Sequence, residues 1–429
     1  MAPDPTGTPG IGAAAPAGAR SRSATQWVVP RFEPFPGLRY APSHVKSLDD
    51  VVCPPYDVIS DSDRAALEAR SPSNVVRLEL PHDDGGGNRY ERARELLDSW
   101  RDGGVLHRDG RPAFYGYRMS YSDPSGRPAR TVGVIGALGL EPPGEGILPH
   151  EETTPKAKTD RLELLRATRA NLSPIWCLSP GTGLSTHLEP PDHPLERALD
   201  DDGIVHEMWP ITDPAAVAAI RAAVESQPVL IADGHHRFET ALHYKEEQRA
   251  GATPGTPPDE DAVMALVVEL TEEQLTVQAI HRLILGLDPD FDIVAALEEW
   301  FDVTPAEPVD RTILGRMREA GGMALLTPKQ AFLARPREKV SEAATHDLDS
   351  SRLDVALSGF PAHQLVFQHG WDHCAAAVAS GAASAAVLLR PATVDQIAAI
   401  SRGGVRMPPK TTFFWPKPRT GMVIRELLA

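Results

Sequence analysis

Asp233, Gly234, His235, His236 and Arg237 stand between an apolar run, Val229 to Ala232, and a helical pattern in which Phe238, Ala241 and Leu242 repeat at i, i+3 and i+4. The run reads as a short buried strand, so the five polar residues sit at a helix start. There the backbone amides point outward along the axis, with the positive end of the helix dipole behind them. Two histidines and an arginine at that end are unfavourable unless an anion compensates them. A phosphate meets the need: Gly234 permits close backbone approach, the following amides face the oxygens, and Arg237 offers a fixed fork of donors. His235 and His236 can exchange protons near neutral pH. A two-histidine metal site explains fewer residues, because neighbours on a helix point about 100° apart, whereas chelating pairs sit at i and i+4. The plainer alternative makes Asp233 an N-cap and leaves the histidines solvated in the first turn.

Two other constellations could join this one. The stretch "PHEETTPKAKTDRLELLRATRAN" offers His150, Glu151 and Glu152 for acid and base work, then Lys156, Lys158 and Arg161 as phosphate partners. By itself it reads more readily as a solvated loop ahead of a helix that Asp160 and Glu163 open as a capping box. The stretch "MPPKTTFFWPKP" sets Lys410, Thr411 and Thr412 before an aromatic cluster. Its alternative is a C-terminal segment docked by Phe413, Phe414 and Trp415 with Lys410 at the surface. Lysine is scarce, and Lys156, Lys158, Lys410 and Lys417 all fall in these two stretches. No G-x-S-x-G elbow, Walker A loop or G-x-G-x-x-G is present. Cys53, beside Pro54 and Pro55 and without an apparent base, reads as a small buried hydrophobe.

The elements that must position these residues alternate between strand and helix. "AFYGYRMSY" and "RTVGVIGALGLE" predict paired strands around the turn "DPSGRP", "NVVRLELP" predicts a strand, and "RYERARELLDSW" predicts a helix. With 429 residues, 41% hydrophobic and 24% charged, the chain is expected to build a sizeable core. Its net charge of -16 argues against nucleic acid as a partner. Three scattered cysteines give no disulfide framework, and no apolar run is long enough for a membrane span. A cytoplasmic location is expected. Residues 1–26, rich in Pro, Gly, Ala and Ser, read as a disordered tail, 27–290 as the main α/β domain, and 291–429 as a C-terminal α/β region that returns to the site.

Five ordered blocks, "PPYDVIS", "NVVRLELP", "HEETTPKAKTDRLELLRATRANLSPI", "ADGHHRFETAL" and "MPPKTTFFWPK", resemble the uncharacterised prokaryotic group catalogued as domain of unknown function family 1015, from about Phe32 to the C-terminus. Within them, "VLIADGHHRFETAL" is similar to the strand, loop and helix signature of the ParB/sulfiredoxin-like superfamily, and in spelling to its free serine kinases. The resemblance implies a mixed α/β (α+β) fold with that phosphate site inside a larger elaborated whole. It implies a nucleotide-dependent phosphotransferase acting on a small metabolite, serine or phosphoserine, with Mg²⁺ and ADP or ATP. On this reading Asp233, Gly234, Arg237, Thr240, Lys156, Arg161 and Lys410 hold phosphate or nucleotide, and His235 and His236 are catalytic. Glu151 joins them as the carboxylate on chemistry alone. A phosphoserine phosphatase-type hydrolase and a nucleotide-regulated binding protein are the alternatives.

Overall fold

The computed structural model describes residues 29–83, 87–124, 126–142, 144–149, 158–192, 196–249, 259–306, 309–310, 312–402 and 406–427. The expected tail, 1–26, lies outside the described residues, as do His150, Glu151, Glu152 and Lys156. The fold is mixed α/β, with helices packed on a large mixed sheet and on a second, antiparallel one.

The strands expected around "DPSGRP" form the middle of the large sheet. Phe114–Ser122 and Pro128–Gly139 pair antiparallel, Tyr121 opposite Ala129 and Tyr115 opposite Ile135. Successive side chains of a strand point to opposite faces, and here both faces are covered. Val134 and Leu138 pack with Phe32 and Phe114 on one side, Ile135 and Ala137 with Tyr115 and Tyr117 on the other. Outward from Pro128–Gly139 the order is Ala262–Glu269, Ile175–Ser179, Val229–Asp233 and Ile147–Pro149. Ala262–Glu269 runs parallel to Ile175–Ser179, which runs antiparallel to Val229–Asp233. Every residue of Ala262–Glu269 is buried, which explains why that segment is almost continuously apolar and does not alternate.

The second sheet is built from Phe301–Ala306, Ala331–Pro336, Met323–Leu326, Ala385–Leu388, His281–Leu285 and Gln364–Gln368, each pair antiparallel. Helices Ile293–Glu298 and Asp349–Leu357 seal one face, Ile313–Ala320 and Trp371–Ala379 the other. From here the chain returns to the first layer. Thr412–Trp415 pairs with Thr276–Ala279, Thr420 bridges to Cys53, and Arg425–Glu426 pairs with Ala170–Asn171.

Two local expectations fail for identifiable reasons. "NVVRLELP" holds the short helix Val76–Glu79, not a strand. Asn74 Oδ1 accepts from the Val76 amide at 3.0 Å and its Nδ2 donates to the Asp50 carbonyl at 2.8 Å, starting a turn. Val75, Val76 and Leu78 are all fully buried, so no alternation of faces exists to support a strand. Asp160 is not a cap, because the helix Lys158–Thr168 begins before it. Its carboxylate instead accepts from Arg89 at 2.7 Å, Tyr90 at 2.9 Å and Arg161 at 2.5 Å. No helix among the described residues is long and apolar enough to cross a membrane.

Candidate functional site

The strand Val229–Asp233 ends at Asp233, Gly234 turns the chain at φ +89°, and the helix His235–Arg249 follows. Only glycine takes that turn without strain, and space is short as well. A Cβ on Gly234 would lie 3.0 Å from Ile175 Cγ2 and 3.2 Å from Arg237 Nε. The Phe238 amide donates to the Gly234 carbonyl at 3.0 Å, so Gly234 holds the capping position and Asp233 is not the N-cap.

The Asp233 carboxylate has other work. Its Oδ1 accepts from Lys417 Nζ at 2.6 Å and its Oδ2 from Arg237 Nη2 at 3.0 Å. Burial pushes the carboxyl upward, but Lys417 and Arg237 outweigh it and hold its pKa at about 2. Burial pulls the Arg237 guanidinium down, and Asp233 with Asp57, Tyr56 and Glu79 lifts it above its ordinary value. Part of the anion expected to offset the cations of the helix start is therefore the chain's own Asp233. Arg237 is further tied by Nη1, which donates to the Pro174 carbonyl at 2.6 Å and to Ser173 Oγ at 3.1 Å. Its buried Nε has no hydrogen-bond partner among the described residues, and neither has Thr240 Oγ1.

Arg237, Thr240, Arg161, Glu79 and Ser173 line one cavity of about 50 Å³. That is room for one or two waters, at roughly 30 Å³ each, so a nucleotide would have to lie on the open side of the helix start. Arg161 is buried and engaged along its length. It donates to the Glu79 carbonyl at 2.8 Å and to Asp160, and lies over the Tyr56 ring at 4.3 Å. His235 and His236 are half-buried in the first turn of the helix.

The ammonium that reaches Asp233 belongs to Lys417, which also lies over the Phe413 ring at 5.1 Å. His369 packs on the same ring, at 4.2 Å between centroids. Burial, then Lys410 and Lys417, lower its pKa. Lys410 itself is exposed, with φ +58°, and its carbonyl accepts from Arg282 at 3.1 Å. Of the residues read from the sequence, the structure gathers Asp233, Gly234, Arg237, Thr240 and Arg161, with the two histidines on the adjoining turn. Lys156 and Glu151 fall outside the described residues.

Sequence reasoning missed Tyr56, Glu79, Ser173 and Lys417. Each lies inside a block that carries the family resemblance: Tyr56 in "PPYDVIS", Glu79 in "NVVRLELP", Ser173 in "ANLSPI" and Lys417 in "FFWPK". Membership of these blocks is the one signal that marks them, since nothing local to a block shows its partners in the others. Cys53 is fully buried, and burial pushes its thiol upward, in keeping with a packing role.

A family of proteins grouped by sequence matches this chain over residues 32–356. The chain belongs to DUF1015, described as a protein of unknown function. The match opens at Phe32, as the blocks suggest, and closes before "MPPKTTFFWPK", so Lys410 and Lys417 lie beyond it. No curated protein matches the chain. Among solved structures it is similar to a conserved hypothetical protein from Pyrococcus furiosus, at 15% identity and a TM-score of 0.34 over 67% of this chain and 91% of that one. It is also similar to a free serine kinase in complex with AMP, at 16% identity and 0.34 over 68% and 92%. A third is SbnI with a C-terminal truncation from Staphylococcus aureus, at 10% identity and 0.35 over 67% and 87%. The chemistry of the site rests on this chain's own residues.

Proposed function

We propose that this protein is a nucleotide-dependent phosphotransferase acting on a small hydroxylated metabolite of the serine and phosphoserine class. The observation that carries the reading is the pairing of Arg237, on the helix that starts at His235, with Lys417, 184 positions from Asp233, about one carboxylate. Phosphoryl transfer asks a protein for positioning and charge neutralisation more than for a special nucleophile. Two held cations beside a helix start supply both. The likeness of "ADGHHRFETAL" to the ParB/sulfiredoxin-like signature of free serine kinases supports phosphate at this place and serine as the acceptor.

In this reading Gly234, Arg237 and Thr240 hold the phosphate end of the nucleotide, Asp233 fixes Arg237 and Lys417 beside it, and Lys156 and Lys410 neutralise oxygens. Arg161 braces the Tyr56 turn against the helix start. Glu151, or one of His235 and His236, takes the acceptor hydroxyl proton. ADP or ATP is the nucleotide, and Mg²⁺ rides on its phosphates with no protein ligand assigned among the described residues. A hydrolase using the same residues on phosphoserine is the second reading, since a half-buried histidine can also activate water.

A ³¹P NMR assay of the purified protein with Mg²⁺, ADP or ATP, and serine or phosphoserine tests this. Serine-dependent exchange of phosphoryl groups with the nucleotide is the expected result. Equal phosphate release from phosphoserine with and without nucleotide would transfer the assignment to the hydrolase. Nucleotide binding without turnover of any acceptor would make the protein a nucleotide-regulated binding protein.

A further inference from the structure

The turn at 54–59 separates the Asp233 cluster from a second concavity. Tyr56 packs on Arg161, whereas Pro54, Val58 and Ile59 line a cavity of about 130 Å³ on other surfaces of the turn. Its walls are largely apolar, with Val52 and Leu67 buried behind and Val58 and Leu199 at the rim. Val58 and Leu199 are 47% and 42% exposed, two of only four large hydrophobics that the described residues leave so open. Surface left apolar around a concave site marks a place where something binds.

The polar side of this cavity is built around Arg419, whose side chain is 10% exposed. One of its terminal nitrogens pairs with Asp200, and its buried Nε has no partner among the described residues. Asp200 cannot turn away to a ligand. Its Oδ2 also accepts from His206 at 3.1 Å, and its Oδ1 accepts from the Asp202 and Ile204 amides at 2.9 and 2.8 Å. His206 is fixed in turn by the Tyr117 hydroxyl at 2.8 Å. The guanidinium is therefore held in place by a buried chain of partners, and its second terminal nitrogen, Nη1, makes no hydrogen bond among the described residues and can take a carboxylate. Around it, however, Asp49, Asp63, Asp200 and Asp201 outnumber Arg70 and Arg419. A simple anion would meet net repulsion, and a simple cation would leave Arg419 unsatisfied. A zwitterion satisfies both.

We infer that this cavity is a binding site for a small α-amino acid with a short apolar side chain, of the size of alanine to valine. Its carboxylate is taken by Arg419, its ammonium faces the acidic rim, and its side chain lies against Val58, Leu67 and Leu199. The volume is close to the ~150 Å³ of cavities that hold one benzene ring. This inference does not depend on the phosphotransferase reading. Lys417, two positions before Arg419, is the residue bound to Asp233, so one short segment joins the two sites.

Isothermal titration calorimetry of the full chain with L-valine, isobutyrate and isobutylamine tests it. L-valine should bind one per chain, and both single-charge analogues should bind at least about ten-fold more weakly, which corresponds to ~1.4 kcal/mol. Because Arg419→Ala strips a buried partner from Asp200 and can unfold the protein, the decisive variant is Ala66→Trp. Ala66 is an exposed helix residue at the cavity wall, so the indole fills the cavity without entering the core. With an unchanged circular dichroism melt, this variant should lose L-valine binding. No binding of L-valine, binding that survives Ala66→Trp, or isobutyrate or isobutylamine binding as tightly as L-valine would each overturn the assignment.

Discussion

Replacing Lys417 by Met removes the ammonium from Asp233 but keeps an unbranched chain to lie over Phe413. In the intact protein burial raises the Asp233 carboxyl, and Lys417 first, then Arg237, bring it from 3.8 down to about 2. A shift of nearly two units corresponds to about 2–3 kcal/mol, at roughly 1.4 kcal/mol per unit. Lys417 contributes through both charge and hydrogen bond, whereas Arg237 remains in the variant, so the loss should be about 1–2 kcal/mol. The sign follows from linkage. A carboxyl whose folded pKa is depressed adds stability in full above its unfolded value, and that stability fades as pH falls through the folded value. Urea unfolding should therefore show the wild type ahead of Lys417→Met by this amount near neutral pH, with the gap narrowing between about pH 4 and about pH 2. An NMR titration of the Asp233 carboxyl should show its midpoint move up in the variant. If the stability gap is the same at both ends of that window, or the Asp233 titration does not move, the ion pair does not hold this carboxylate and the convergence of the C-terminal segment on the helix start loses its meaning.

Arg237→Ala should weaken ADP binding by roughly 1.5–3 kcal/mol, the worth of a hydrogen bond to a charged group, measured by calorimetry. A loss of thermal stability with ADP binding intact would make Arg237 a purely structural residue. Gly234→Ala should cost at least about 1–2 kcal/mol in thermal unfolding, because φ +89° is unfavourable for alanine and its Cβ would meet Ile175 at 3.0 Å. A neutral substitution would mean that the turn relaxes freely. His281 is buried, and burial, then His369 and Arg282, hold its pKa near about 4. Its Nδ1 accepts from the Leu389 amide at 3.1 Å. The folded state resists protonation, so stability should fall by about 3 kcal/mol as pH drops from about 6.5 to about 4. His281→Gln should flatten that part of the stability curve, and an unchanged slope would refute the assignment.

The strand and helix around the Asp233 motif were legible because each carries its own period: a buried apolar run, then Phe238 and Ala241 at helical spacing. The paired strands about residues 123–128 were legible for the same reason. "NVVRLELP" was not, because Val76–Glu79 is four residues long with Val76, Leu78 and Glu79 all buried, and its helical state is set by the Asn74 side chain and the Asp50 carbonyl. Lys417 was visible as one of few lysines, but nothing local shows that Asp233 is its partner. That pairing depends on the return of the C-terminal segment along Thr276–Ala279 and onto Cys53. Ion pairs made across such separations leave no periodic trace in the chain. Their residues showed only as members of blocks whose chemistry looked incomplete one at a time.

Asp233 sets a condition on any phosphate that binds beside it. Its carboxylate cancels one of the two positive charges brought by Lys417 and Arg237, so an incoming phosphate meets about one net positive charge plus roughly half a charge from the helix start. If the carboxylate is present mainly to hold the cations, Asp233→Asn leaves both cations nearby and removes the opposing charge. Binding of inorganic phosphate and ADP should then tighten by on the order of 1–2 kcal/mol, the scale of one charge at several ångströms in a half-buried site. Turnover should fall in the same variant, because the group that fixes Lys417 and Arg237 is weakened. Weaker phosphate binding in Asp233→Asn would place the entire value of the carboxylate in positioning the two cations. Tighter binding with undiminished turnover would remove Asp233 from the reaction.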